Sequence, residues 1–121
     1  MLESANEPNI RIITEKISLV ELKNIASERF GDMIKAVVDI ERKLMAIGGG
    51  MHADEEEILL EQGSSQENLW GINVYPDKSG AEFIEFDSMI NLRPRQNNRS
   101  RSVENVETQE RIRAVVQKLI S

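Results

Sequence analysis

Three consecutive glycines, Gly48-Gly49-Gly50, stand near the middle of this 121-residue chain, and no regular element is expected to run through them. Glycine loses more backbone freedom on ordering than any other residue, so the triplet divides the chain into two halves. Before it lies the short apolar run Leu44-Met45-Ala46-Ile47, which reads as a strand. After it come Met51-His52-Ala53 and the acidic run Asp54-Glu55-Glu56-Glu57. Acids gather in the first turn of a helix because the exposed amides and the helix dipole favour them there. A helix is therefore predicted over 54–62, capped by Asp54 with Glu57 closing a capping box and Gly63 ending it.

The same reasoning organises the rest of the chain. Residues 1–8 are polar and aperiodic and are expected to form a disordered tail, leaving 9–121 as one domain. Ile10 to Thr14 is a short strand. Ser18, with Glu21 three residues on, signals a capping box, and Ile17 with Leu22 has the spacing of a hydrophobic staple. Leu19, Leu22, Ile25 and Ala26 then share one helical face as far as Gly31, giving a helix near 18–30. Met33 to Asp39 alternates and carries Ile34, Val37 and Val38, so it reads as a strand paired to 44–47 in a hairpin. Trp70-Ile72-Val74 alternates against Gly71-Asn73-Tyr75, and Pro76 to Gly80 is a turn. The returning strand is predicted from Phe83 to Leu92, with Glu85, Asp87, Asn91 and Arg93 on its polar face. An irregular polar loop continues over 93–105. A last helix over 106–120 has Ile112, Val115, Val116 and Leu119 at helical spacing. Two hairpins plus an N-terminal strand and about three helices predict an α+β domain, its sheet mostly antiparallel and its helices on one face.

Composition bounds function. The chain is long enough for one domain that buries roughly two-thirds of its unfolded surface. Only five aromatics are present, so the core is expected to be aliphatic. Without cysteine there is no disulfide, thiolate nucleophile or cysteine zinc site. No apolar run approaches the ~18 residues of a membrane span, and no signal-peptide pattern opens the chain, so a cytoplasmic protein without membrane association is expected. A net charge of −6 argues against general nucleic-acid binding. That charge is uneven, however: Arg93, Arg95, Arg99 and Arg101 fall within nine residues that contain no acid.

Several segments carry specific short patterns. These are Gly48-Gly49-x-x-His52-Ala53-Asp54-x-Glu56, Gly63-Ser64-x-Gln66-x-x-x-Trp70-Gly71-x-Asn73-x-Tyr75-Pro76, Ile90-Asn91-Leu92-Arg93-Pro94 and Asn98-Arg99-Ser100. With them the chain resembles a family of short bacterial proteins catalogued as a domain of unknown function, over about Ile10 to Ile120. The resemblance implies a small single-domain bacterial protein and no activity that carries over.

Three constellations compete for a role. His52, the sole histidine, lies near Asp54, Glu56 and Glu57, but the spacing matches no characterised metal motif, and the acids are explained by helix capping. No metal is expected at His52-Asp54, and nothing calls for a cofactor. The glycine triplet lacks the G-x-G-x-x-G and lysine-serine patterns of phosphate loops, and the acids beside it would repel phosphate. The polar hairpin face is the better candidate: asparagine is disfavoured inside strands, and local rules tend to be broken at functional sites. The sequence thus points to Asn73, Asp87, Asn91, Arg93 and Arg99 as a binding site for a small anionic ligand or a protein partner, without catalysis. The competing enzyme reading is a small hydrolase or endoribonuclease using His52 with acidic and arginine residues.

Overall fold

The computed structural model describes residues 9–121, so the predicted disordered tail over 1–8 lies outside the described residues. Five strands form one sheet: β1 (Arg11–Ile13), β2 (Ile34–Asp39), β3 (Leu44–Ile47), β4 (Leu69–Val74) and β5 (Ile84–Glu85). Their spatial order is β1-β3-β2-β4-β5 and every pairing is antiparallel, as predicted. Three α-helices accompany them: α1 (Leu19–Arg29), α2 (His52–Glu61) and α3 (Val106–Leu119). The chain is an α+β fold.

The β2–β3 hairpin closes through Asp39. Its buried Oδ1 accepts from the amides of Glu41 and Arg42, both at 2.9 Å, while Oδ2 accepts from the Ser64 hydroxyl at 2.6 Å. At α1 the Ser18 hydroxyl accepts from the Glu21 amide at 3.1 Å, the expected cap. The Glu21 carboxylate instead pairs with Arg11 at 2.8 Å. Ile17 and Leu22, the predicted staple, are both buried in one cluster.

The helices do not share one face of the sheet, which corrects the layer expected from sequence. α1 and α3 cover one side, where Ile34, Ala36, Val38, Met45, Ile47, Trp70, Ile72 and Val74 meet Leu22, Ile112, Val115, Val116 and Leu119. α2 covers the other, where Leu59 meets Val37, Leu44, Ala46 and Leu69. The central strands are consequently buried on both sides, which accounts for their near-continuous apolar runs.

Two local predictions also fail. α2 starts at His52 behind Met51, which makes no side-chain cap bond, so Asp54 lies inside the first turn and does not cap the helix. The returning strand after the turn at 76–80 pairs for only two residues, Ile84 and Glu85. Beyond it the chain coils into short 3₁₀ turns at Met89–Asn91 and Pro94–Gln96. Side chains that would have alternated on a flat strand are thereby sent to different places: Phe86 packs on the first core, Ile90 on the second, and Leu92 is exposed.

Candidate functional site

The coil after β5 crosses back over β4 on the α2 side, and Gly71 is what it crosses. A side chain built on Gly71 would put its Cβ 2.6 Å from both Cβ and Oγ of Ser88, and 3.2 Å from Cδ2 of His52. Glycine is required because three segments meet at one backbone point. Asn91 then joins the coil to β4 by copying a strand's hydrogen bonds. Its Oδ1 accepts from the Gly71 amide at 2.9 Å, and its Nδ2 donates to the Gly71 carbonyl at 3.0 Å and the Arg101 carbonyl at 2.9 Å. The Ser88 amide donates to that same Arg101 carbonyl at 3.0 Å. Asn98 secures the far side of the coil, donating to the carbonyls of Asn91, Ser100 and Ser102 and accepting from the Glu104 amide.

His52 occupies the first position of α2, beside the crossing. Its Nε2 lies 2.7 Å from the Ile72 carbonyl. A carbonyl only accepts, so Nε2 carries the proton and the neutral ring's lone pair is on Nδ1. Burial lowers the His52 pKa below its ordinary 6.5; the Ile72 bond works in the opposite direction, and nearby Lys35 and Arg101 lower it further while Asp87 raises it. The ring is therefore neutral at pH 7.

Around His52 and Ser88 opens a cleft of about 220 Å³, lined also by Lys35, Gly50, Met51, Ala53, Met89, Ile90 and Arg101. Lys35 arrives from β2, where it sits directly across from Asn73, and its Nζ lies 5.4 Å from the centre of the Phe30 ring. Two acids on this side, Glu85 and Asp87, are engaged. Glu85 accepts from Asn73 Nδ2 and the Tyr75 hydroxyl, both at 2.9 Å, and the second bond is the main reason the Tyr75 pKa is raised. Asp87 accepts from Arg101 Nε at 2.7 Å. That pair engages Nε, and the terminal nitrogens of Arg101 make no hydrogen bond among the described residues.

The five residues singled out by sequence are dispersed. Asn73 bonds to Glu85 and Asp87 to Arg101, neither lining the cleft, and Asn91 is fully buried, with its amide committed to backbone. Arg93 is elsewhere: it donates to the carbonyls of Gln66 and Leu69 and stacks over Trp70, beside the opposite end of β4. Four residues along a strand separate Leu69 from Asn73, roughly 13 Å at the usual rise. Arg99 has an exposed side chain, and its backbone amide donates to Glu104. Among the described residues no three histidine, cysteine, aspartate or glutamate side chains gather in a way that would hold a metal ion. No described helix is long and apolar enough to cross a membrane.

A family model described as "Protein of unknown function (DUF5674)" matches residues 11–119. The chain belongs to this family. No curated protein and no solved structure matches it.

The family's description names no function, so the cleft has to be read from its own residues, and three of them escape a reading of the sequence. Lys35 has the pattern of a polar position on an alternating strand, and only the pairing of β2 with β4 brings it opposite Asn73. Ser88 is one ordinary serine among several. Arg101 stands in the arginine run without a feature to separate it from Arg93. The one available signal is Gly71, a glycine inside a strand pattern, which often marks a close backbone approach.

Proposed function

We propose that this protein is a non-catalytic binding domain whose ligand is a small anion held in the cleft between the start of α2 and the coil at 88–101. The observation that carries this reading is the placement of two cations, Lys35 and Arg101, on the same cleft as the buried polar pair His52 and Ser88. Among the described residues Lys35 has no carboxylate at ion-pair distance, and Arg101 engages Asp87 through Nε only. Hydrogen bonds between a cationic donor and an anion are about twice as strong as neutral ones, so such a pair suits carboxylate or phosphate oxygens. Asp87 and Asn91 act in support, the first aiming the Arg101 guanidinium and the second holding its backbone. His52 contributes a neutral polar wall, with Nε2 committed to Ile72.

Amide and side-chain NMR shifts recorded while acetate or inorganic phosphate is titrated test this reading. Saturable shifts at Gly50, Met51, His52 and Ser88, weakened at least tenfold by Arg101→Ala, are expected. Arg101→Ala should fold normally, because an exposed ion pair is worth little and the Arg101 carbonyl that anchors the coil is untouched. Shifts that are absent, or equal in wild type and Arg101→Ala, would refute the assignment.

A further inference from the structure

The lip of the cleft adds a constraint on what kind of anion enters. Met51 and Met89 stand on it and are largely exposed, at 59% and 62%. They come from different segments, the position before α2 and the 3₁₀ turn after Ser88, and the partly buried Ile90 lies between the cleft and the second core. Methionine is unbranched and polarisable, so a pair of them adapts to an aliphatic guest without a fixed shape. The cavity volume limits that guest: 220 Å³ equals the liquid share of about seven waters, too little for a nucleotide.

Resting on the anion-binding reading, we propose that the ligand is a short-chain aliphatic monocarboxylate, its head paired with Lys35 and Arg101 and its chain lying between Met51 and Met89. Charge and apolar surface occupy one small volume, which an inorganic anion would use only in part. Phosphate has no apolar portion to cover the methionines. A long acyl chain has more than the cleft holds. A carboxylate with roughly four to six carbons fills both needs.

The full chain labelled with ¹³C at its methionine methyls allows a direct test by titration with phosphate, acetate, butanoate, hexanoate and decanoate at constant ionic strength. Met51 and Met89 methyl signals should shift saturably, while Met45, buried in the sheet, should stay fixed. Affinity should rise about fourfold per added methylene, the equivalent of ~0.8 kcal/mol per buried CH₂, and should level off beyond hexanoate. The double variant Met51→Ser, Met89→Ser should flatten that dependence on chain length and still bind acetate. Phosphate or acetate binding as tightly as hexanoate would overturn this inference and leave the anion-binding reading standing. Affinity that keeps climbing through decanoate would overturn the size limit and with it the proposal. If no anion moves any methyl or amide signal, both readings fall together.

Discussion

Arg93 lies flat on Trp70, its guanidinium carbon 4.1 Å from the centre of the indole ring, while its Nη groups donate to the carbonyls of Gln66 and Leu69. One side chain thereby fastens the entrance to β4 and closes the outer edge of the main core. Burial lowers its pKa, yet the group stays cationic at any ordinary pH. The arginine that reads as a ligand contact in the sequence is a clamp on the backbone.

Arg93→Ala should therefore destabilise the fold by about 2–3 kcal/mol, the range for hydrogen bonds to charged groups together with a stacked cation. Arg93→Lys should recover little, because an ammonium cannot span two carbonyls while stacking. Urea denaturation measures both. Anion affinity at the His52 cleft should be unchanged, and a loss there without a loss of stability would restore Arg93 as a binding residue.

Trp70 itself is 5% exposed, on the same face as Ile72 and Val74, as the alternation predicted. Its Nε1 is buried without an acceptor among the described residues, so the ring contributes through packing. Trp70→Ala should cost roughly 3–5 kcal/mol, read from the shift in denaturation midpoint. A near-neutral result would show that the ring adds little to the stability of this core.

Gly71 should tolerate no side chain. In Gly71→Ala the new Cβ would lie 2.6 Å from the Ser88 side chain, forcing the crossing coil away from β4 at a cost of about 1–3 kcal/mol. Because Cβ and Oγ of Ser88 are both obstacles, Gly71→Ala combined with Ser88→Gly should recover much of the loss, whereas Ser88→Ala should not. Equal midpoints for Gly71→Ala and wild type would show that the coil can move aside freely.

How much of the fold is legible in the sequence depends on how locally each feature is determined. The cap at Ser18, the stripe on α3 and the β2–β3 hairpin are set by residues a few positions apart, and the structure has all three. The failures involve distant partners. Phe83 to Leu92 has strand alternation, but Ser88 and Asn91 find Gly71 and Arg101 as partners and coil the chain into a turn. Asp54 with Glu57 has the spacing of a cap, yet His52 binds Ile72 and draws the helix start two residues earlier. Asn73 breaks strand propensity inside β4, whereas Asn91 lies in a 3₁₀ turn, and each asparagine is there for a reason. In Asn91 the reason is a backbone-mimicking clamp, and in Asn73 it is an amide that donates to Glu85 beside Lys35.

His52 should make stability depend on pH just below neutrality. Its folded-state pKa is depressed, chiefly by burial, with Lys35 and Arg101 acting in the same direction and Asp87 and the Ile72 bond opposing. The unfolded chain therefore takes up a proton near the ordinary value of about 6.5 while the folded chain still resists. The stability that a neutral His52 contributes is complete above that pH and is lost as pH falls towards the lower folded value. Protonation would also place a cation at the first turn of α2, where the helix dipole disfavours it. Between pH 6.5 and 5 the unfolding free energy should fall with a slope of up to about 1.4 kcal/mol per pH unit. His52→Gln should remove that slope while keeping a side-chain donor for the Ile72 carbonyl. Urea midpoints for wild type and variant at half-unit steps decide it: a wild-type curve flat from pH 8 to 5 would show that His52 titrates alike in both states and is not held neutral by the fold.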